Sequence, residues 1–161
     1  MIKILARSDS SIAQIPQNHF EIVDLIRQTG SEEQKRLLFK RILEGARLGN
    51  AFSEYKGKNV EDFQTRIKRH GDDYVVTGEK FYSTGALFAH LVPIIAISED
   101  DGKVYAAIAE RTAPGLTVID DWTEPGRSPE QHDAVRCGNE IIATDVWRRH
   151  CRQVLNALRH G

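Results

Sequence analysis

The hydrophobic period of this 161-residue chain changes once, and that change limits what the chain can fold into. From Ser10 to Gln28 the positions Ile12, Ile15, His19, Ile22, Val23 and Ile26 recur at three- and four-residue steps, which is one stripe of a helix. Pro16 lies inside the stripe and lacks a backbone donor, so the spacing predicts a kink there or a helix that starts there. Gly30 closes the segment. Ser31-Glu32-Glu33-Gln34 is a capping-box pattern that opens a second helix through about Glu44. Leu37, Leu38, Ile42 and Leu43 form its expected buried face.

Downstream the period falls to two. Phe63 to Arg69 alternates as a half-buried strand, His70-Gly71-Asp72-Asp73 reads as a turn, and Tyr74 to Gly78 is the returning strand. Leu91 to Ser98 is a near-continuous apolar strand, and Glu99-Asp100-Asp101-Gly102 turns the chain into Lys103 to Ala109. Ala113-Pro114-Gly115 marks a further turn before Leu116 to Ile119. Two helices followed by at least five short strands make an α+β chain. A helical N-terminal piece, residues 1–48, leads into an antiparallel, β-barrel-like domain, residues 49–122. Residues 123–139 hold Pro125, Gly126, Pro129 and Gly138 and no period. From Thr144 onward Val146, Trp147, Cys151, Val154, Leu155 and Leu158 return to helical spacing. The tail, 123–161, is therefore expected to carry one helix, with Arg148, Arg149, Arg152 and Arg159 on its solvated face.

Bulk composition excludes several classes of function. Apolar residues are 40% and charged residues 28%, which suits a soluble chain able to bury a core. A net charge of −1 offers no global field for nucleic acid or an acidic membrane surface. No apolar run approaches the roughly 18 residues of a membrane span, and the Met1 to Arg7 stretch is too short for a secretory signal. Cys137 and Cys151 read as two reduced thiols, which implies the cytoplasm. His132, Cys137, His150 and Cys151 have no metal-ligand spacing, so no metal is expected.

Two segments flank the predicted hairpin: Gly49-Asn50-Ala51-Phe52-Ser53-Glu54 and Gly78-Glu79-Lys80-Phe81-Tyr82-Ser83-Thr84-Gly85. A flavin ring needs a flat apolar surface and hydrogen-bond partners along its polar edge. Asn50, Ser53, Ser83 and Thr84 offer partners, and Phe52 or Tyr82 offers surface. The same residues also suit ordinary turns and strand ends, where they satisfy backbone groups.

Asp9 to Trp122 resembles the acyl-CoA dehydrogenase superfamily, and within it the reduced-flavin-dependent monooxygenases of bacterial sulfur acquisition and dibenzothiophene desulfurisation. Five blocks in family order carry the resemblance. They are Ser11-Ile12-Ala13-Gln14 with His19-Phe20; Gly30-Ser31-Glu32-Glu33-Gln34-Lys35; Gly49 to Glu54; Gly78 to Ala86; and Ala113 to Val118 with Asp120-Asp121-Trp122. The Phe-Tyr-Ser-Thr-Gly block favours the monooxygenase branch, since dehydrogenases usually place Trp-Ile-Thr there. The resemblance implies a helical domain, a middle β-domain and a C-terminal four-helix bundle, with flavin between the last two.

It further implies that Asn50, Ala51, Phe52 and Ser53 hold the ring and its edge, and that Tyr82, Ser83 and Thr84 complete the wall. His19 falls where related monooxygenases place a helix histidine facing the reactive part of the ring, to donate a hydrogen bond or shuttle a proton. Trp122 is expected to pack at the β-domain edge.

The implied activity uses FMN reduced by a separate flavin reductase to deliver one oxygen atom to a small organosulfur compound, with water excluded. An FAD-dependent acyl-CoA dehydrogenase-like enzyme is the first rival, and a non-catalytic remnant the second. After Trp122 the family's Gly-x-Gly-Gln-Arg run is replaced by Thr123-Glu124-Pro125-Gly126-Arg127, and no bundle follows. The chain is thus expected to be a fragment with a frameshifted or foreign tail, and to self-associate as a homo-oligomer through apolar faces that the bundle would cover.

Overall fold

The computed structural model describes residues 2–54, 63–71, 73–120, 134–143 and 145–148, the last two ranges as backbone. Three helices come first: α1 (Ile2–Ser8), α2 (Ser10–Thr29) and α3 (Glu32–Leu43). Between α1 and α2 the Asp9 carboxylate accepts the Ile12 N–H at 3.0 Å, a side-chain cap on α2. Pro16 lies within α2 and does not start it. Its ring removes one intrahelical bond, while Ala13 before it and Ile22 and Ile26 after it are buried and hold both halves of the helix in place.

The capping box of α3 forms in full, with Gln34 N–H on Ser31 Oγ at 3.2 Å and Ser31 N–H on Gln34 Oε1 at 3.0 Å. Its buried face is narrower than the sequence suggests. Leu38 is buried with Phe39 and Ile42 packed beside it, whereas Leu37 is 47% and Leu43 88% exposed. The helix rests on its neighbours along one stripe only, and those two leucines fall outside it.

The strands are β1 (Arg66–His70), β2 (Asp73–Lys80), β3 (Leu91–Ser98), β4 (Val104–Glu110), β5 (Leu116–Ile119), β6 (Ala134–Ala143) and β7 (Asp145–Arg148). They form one sheet in the order β5-β6-β2-β1-β3-β4-β7. The expected hairpin is β1–β2, with Ile67 opposite Val76. One pair departs from the antiparallel expectation, because β1 runs parallel to β3. Residues 81–90 carry the chain past β1 before β3 begins, which reverses the sense of that pair.

The tail also differs from its sequence reading. Residues 145–148, read there as the start of a helix, pair with β4, and 134–143 lie between β5 and β2. Strands of the sheet therefore extend past the expected boundary at residue 122. Backbone pairing with an otherwise open strand edge outweighs the weak helical period of Val146 and Trp147, residue types that suit strands. Asp121, Trp122 and the expected helix beyond residue 148 lie outside the described residues.

Leu91 to Ala96 of β3 are buried on both faces, which explains their unbroken apolar run. One face packs Ile95 and Leu91 with Ile22, Ile26, Leu38 and Phe52, joining the sheet to α2 and α3. The other packs Val92 and Ile94 with Ile67, Val76 and Ala107. No helix among the described residues is long and apolar enough to cross a membrane.

Gly49 sits where the chain leaves α3 for the sheet, and a Cβ there would meet Ala86 Cα at 2.8 Å and Ala89 Cβ at 3.1 Å. Gly49→Ala is expected to lower stability by about 1–3 kcal/mol through this backbone clash. Urea denaturation reads the loss, and an unchanged midpoint would contradict the close approach.

Candidate functional site

The segment after α3 behaves as a short bridging strand. Gly49 and Ala51 donate to the carbonyls of Leu91 and Pro93, each at 3.0 Å, and Ala51 O accepts the Ile95 N–H at 3.2 Å. The chain then crosses to the end of β2, where Ser53 O accepts the Phe81 N–H at 2.9 Å. The two segments singled out in the sequence thus meet edge to edge.

Below that junction lies an ion pair that pattern reading missed. Lys80 is 0% exposed, and its Nζ donates to Glu54 Oε1 at 2.5 Å and to the Phe52 carbonyl at 3.3 Å. It also lies 4.7 Å from the centre of the Phe63 ring. Glu54 accepts from Thr65 N–H at 3.0 Å, Thr65 Oγ1 at 2.7 Å and Gln64 N–H. Burial pushes the Glu54 carboxyl up, but the Lys80, Thr65 and Gln64 hydrogen bonds and the Lys80 charge together hold it below the usual carboxylate value. Gly78 makes room for this cluster, since a Cβ there would stand 2.5 Å from Thr65 Oγ1. The period-2 alternation of β2 puts Val76, Gly78 and Lys80 on one face, so an inward lysine demanding an acid was legible in principle.

After β2 the backbone is strained. Tyr82 has φ 55°, the one positive φ outside glycine among the described residues, at a cost of about 1–2 kcal/mol. Its side chain is 45% exposed. Thr84 N–H turns back to the Tyr82 carbonyl at 2.9 Å. Ser83 is fully buried, and its Oγ finds no hydrogen-bond partner among the described residues.

The other expected residues divide. Ser53 is exposed and Asn50 and Thr84 are half-buried, placed where side chains can meet a ligand. Phe52 is 7% exposed within the helix–sheet core, and Ala51 is 0% exposed. Phe52 is therefore not an open stacking surface, because its ring fills the space under α2 and α3; of the two aromatics expected to stack, Tyr82 is the exposed one. Ala51 and Phe52 turn no side chain to a ligand, and the Ala51 N–H and carbonyl and the Phe52 carbonyl are bonded to Pro93, Ile95 and Lys80.

α2 reaches this junction through two adjacent side chains. His19 Nδ1 accepts the Leu48 N–H at 3.1 Å, and its ring meets Phe20 edge-on at 5.4 Å. Burial, aided by the Arg47 charge, pulls the His19 pKa below its ordinary value. An accepting Nδ1 leaves the proton on Nε2, so His19 is a neutral donor. It lines an apolar cavity of about 270 Å³ with Ile12, Ile15, Pro16, Leu48 and Phe88. Asn18, absent from the sequence reading, accepts Asn50 Nδ2 at 2.9 Å and donates to the Thr84 carbonyl at 3.4 Å. An isolated polar residue on an apolar stripe was its only signal.

Among the described residues no cluster of His, Cys, Asp or Glu could hold a metal ion. Of the metal candidates weighed in the sequence, His132, His150 and Cys151 lie outside the described residues and Cys137 is described as backbone.

No protein-family model matches the chain. A probable acyl-CoA dehydrogenase, YngJ of Bacillus subtilis, is 32% identical over 125 residues, 73% of this chain and 31% of that protein. A dibenzothiophene monooxygenase of Rhodococcus erythropolis is 29% identical over 132 residues, 78% of this chain and 31% of that protein. The chain thus spans about a third of the length of the curated relatives it matches. The solved structure of TdsC from Paenibacillus sp. A11-2 with FMN and indole shares the fold, with TM-score 0.78 at 23% identity over 97% of this chain and 40% of that one.

Removing one partner of the buried pair isolates a charge. Lys80→Met is expected to cost about 3–5 kcal/mol, and the double variant Glu54→Gln/Lys80→Met distinctly less. Chemical denaturation of the three proteins decides, and equal losses would contradict a coupled pair. The folded chain also resists protonation at His19 below its ordinary pKa of 6.5, while the unfolded chain does not. Stability should therefore fall as pH drops through that range, and His19→Gln should flatten the slope; an unchanged slope would contradict the buried neutral imidazole.

Proposed function

Acyl-CoA dehydrogenase-like enzymes and dibenzothiophene monooxygenases are homologues of this chain, and on that premise we propose that residues 48–54 and 81–85 form one wall of a flavin site in a flavin-dependent oxidoreductase. The observation that carries the reading is the strained, half-exposed Tyr82 beside a buried Ser83 hydroxyl that lacks a partner among the described residues. Strain and an unmet hydroxyl are both expected where a ligand completes the structure.

In this reading the Tyr82 ring supplies the stacking surface. Ser53, Ser83 and Thr84 hydroxyls and the Asn50 amide meet the polar edge, and Ala51 and Phe52 hold that segment of the wall in place through their bonds to β3 and Lys80. His19 donates its Nε2–H from α2, and so is assigned hydrogen bonding over proton abstraction. Apolar side chains surround His19 on that side.

The finer assignment is FMN, supplied reduced by a separate reductase, with transfer of one oxygen atom to a small organosulfur compound. Bound reduced FMN supplies the electrons that activate oxygen. Its support is the Phe81-Tyr82-Ser83-Thr84-Gly85 block and the kinship to dibenzothiophene monooxygenase. An FAD-dependent acyl-CoA dehydrogenase-like activity is the second reading, favoured by the kinship to YngJ. A homo-oligomer fits the exposed Ile4, Ile12, Leu37 and Leu43.

Anaerobic titration with reduced FMN, oxidised FMN and FAD, followed by fluorescence and calorimetry, tests the proposal. Saturable binding on the order of micromolar Kd is expected for reduced FMN, weakened about fivefold to tenfold by Thr84→Ala. Preference for FAD with turnover of an acyl-CoA would support the second reading. Absence of saturable binding to any flavin would overturn both.

A further inference from the structure

We infer that Asn18 is a positioning residue that fixes the polarity of Asn50, so that the site presents an acceptor, Asn50 Oδ1, to a flavin ring N–H; this rests on the flavin reading above. One backbone group sets both amides. The Thr84 carbonyl can only accept, so the Asn18 atom 3.4 Å from it must be the amide nitrogen. The opposite orientation would place two oxygens at that separation. Asn18 Oδ1 then faces Asn50, which must answer with its own Nδ2, and does so at 2.9 Å. Two amides whose orientations are each ambiguous alone are set as a pair by the carbonyl at the end of the row.

Of Asn50 there remain the second Nδ2 hydrogen and the carbonyl oxygen, the one acceptor of the side chain. Among the described residues nothing donates to it, and the side chain is half-buried between α2 and the bridging segment. An acceptor in that position selects for a donor and against another oxygen or a bare ring nitrogen. The ring edge has few such donors: N3 carries hydrogen in both redox states, and N5 gains one on reduction. The remaining edge atoms of the oxidised ring, O2, O4 and N1, only accept. Asn18 touches no ligand; it acts through Asn50, and the Thr84 carbonyl sets its orientation.

The test combines side-chain amide NMR on the flavin-free full chain with FMN titrations of Asn18→Ala, Asn18→Asp and Asn50→Leu. Asn18→Ala removes the orientation and is expected to weaken FMN binding about tenfold. Asn18→Asp still accepts from Asn50 Nδ2 but loses the bond to the Thr84 carbonyl, so it should weaken binding clearly less than Asn18→Ala does. In the Asn50→Leu background, Asn18→Ala should cost nothing further. The Asn50 amide protons should be distinct and slow to exchange in wild type and Asn18→Asp, and solvent-like in Asn18→Ala. A penalty confined to reduced FMN assigns the contact to N5–H, and an equal penalty in both states assigns it to N3–H.

Wild-type affinity in Asn18→Ala, equal weakness of Asn18→Asp, or additive penalties would overturn the inference while leaving the flavin reading intact. If the Asn50 amide is ordered but wild type binds no FMN in either state, the flavin reading fails and takes this assignment with it.

Discussion

The buried contact between Glu54 and Lys80 is the constraint on which the junction depends. Two charges removed from water are tolerable only when nearly every lone pair and proton finds a partner. Here Thr65, Gln64, the Phe52 carbonyl and the Phe63 ring provide them. Those partners come from three stretches of chain, so satisfying the pair fixes all three. It sets where the bridging segment leaves β3, where β2 ends, and how residues 63–65 enter β1. An apolar pair of equal volume would fill the space without dictating that register.

Given that frame, the strain in the following residues has a place to be stored. Lys80 is the last residue of β2, and Tyr82 adopts its unfavourable φ two positions later. Ser83, one residue further on, is buried with its hydroxyl unmet among the described residues. A loop carrying both features would relax if its ends were free. The Ser53–Phe81 bond holds one end, and the close approach of Gly49 to Ala86 holds the other. α2 then reads both segments at once, His19 on Leu48 and Asn18 on Asn50 and Thr84.

Local signals made much of this legible. The alternation through Ile67 and Val76, the capping box at Ser31 and the unbroken run from Leu91 reported their elements because each is decided by burial or backbone chemistry within a few residues. Properties set across the fold were not legible. The parallel β1–β3 pair depends on the route of residues 81–90, and β6 and β7 depend on which strand edges are open. Phe52 illustrates the limit at the site: an aromatic beside hydroxyls suits a stacking wall or a core equally, and only the placement of α2 and α3 decides. The lysine of the ion pair and the asparagine of the clamp were visible as residues, but their meaning lay in partners 26 and 32 positions away.

Hydrogen exchange of the full chain with and without reduced FMN tests most directly whether the two segments act as one flavin wall. Added protection is expected at residues 48–54 and 81–85 together, with the β3–β4 pair unchanged. Protection at one segment alone, or none at either under saturating FMN, would contradict it.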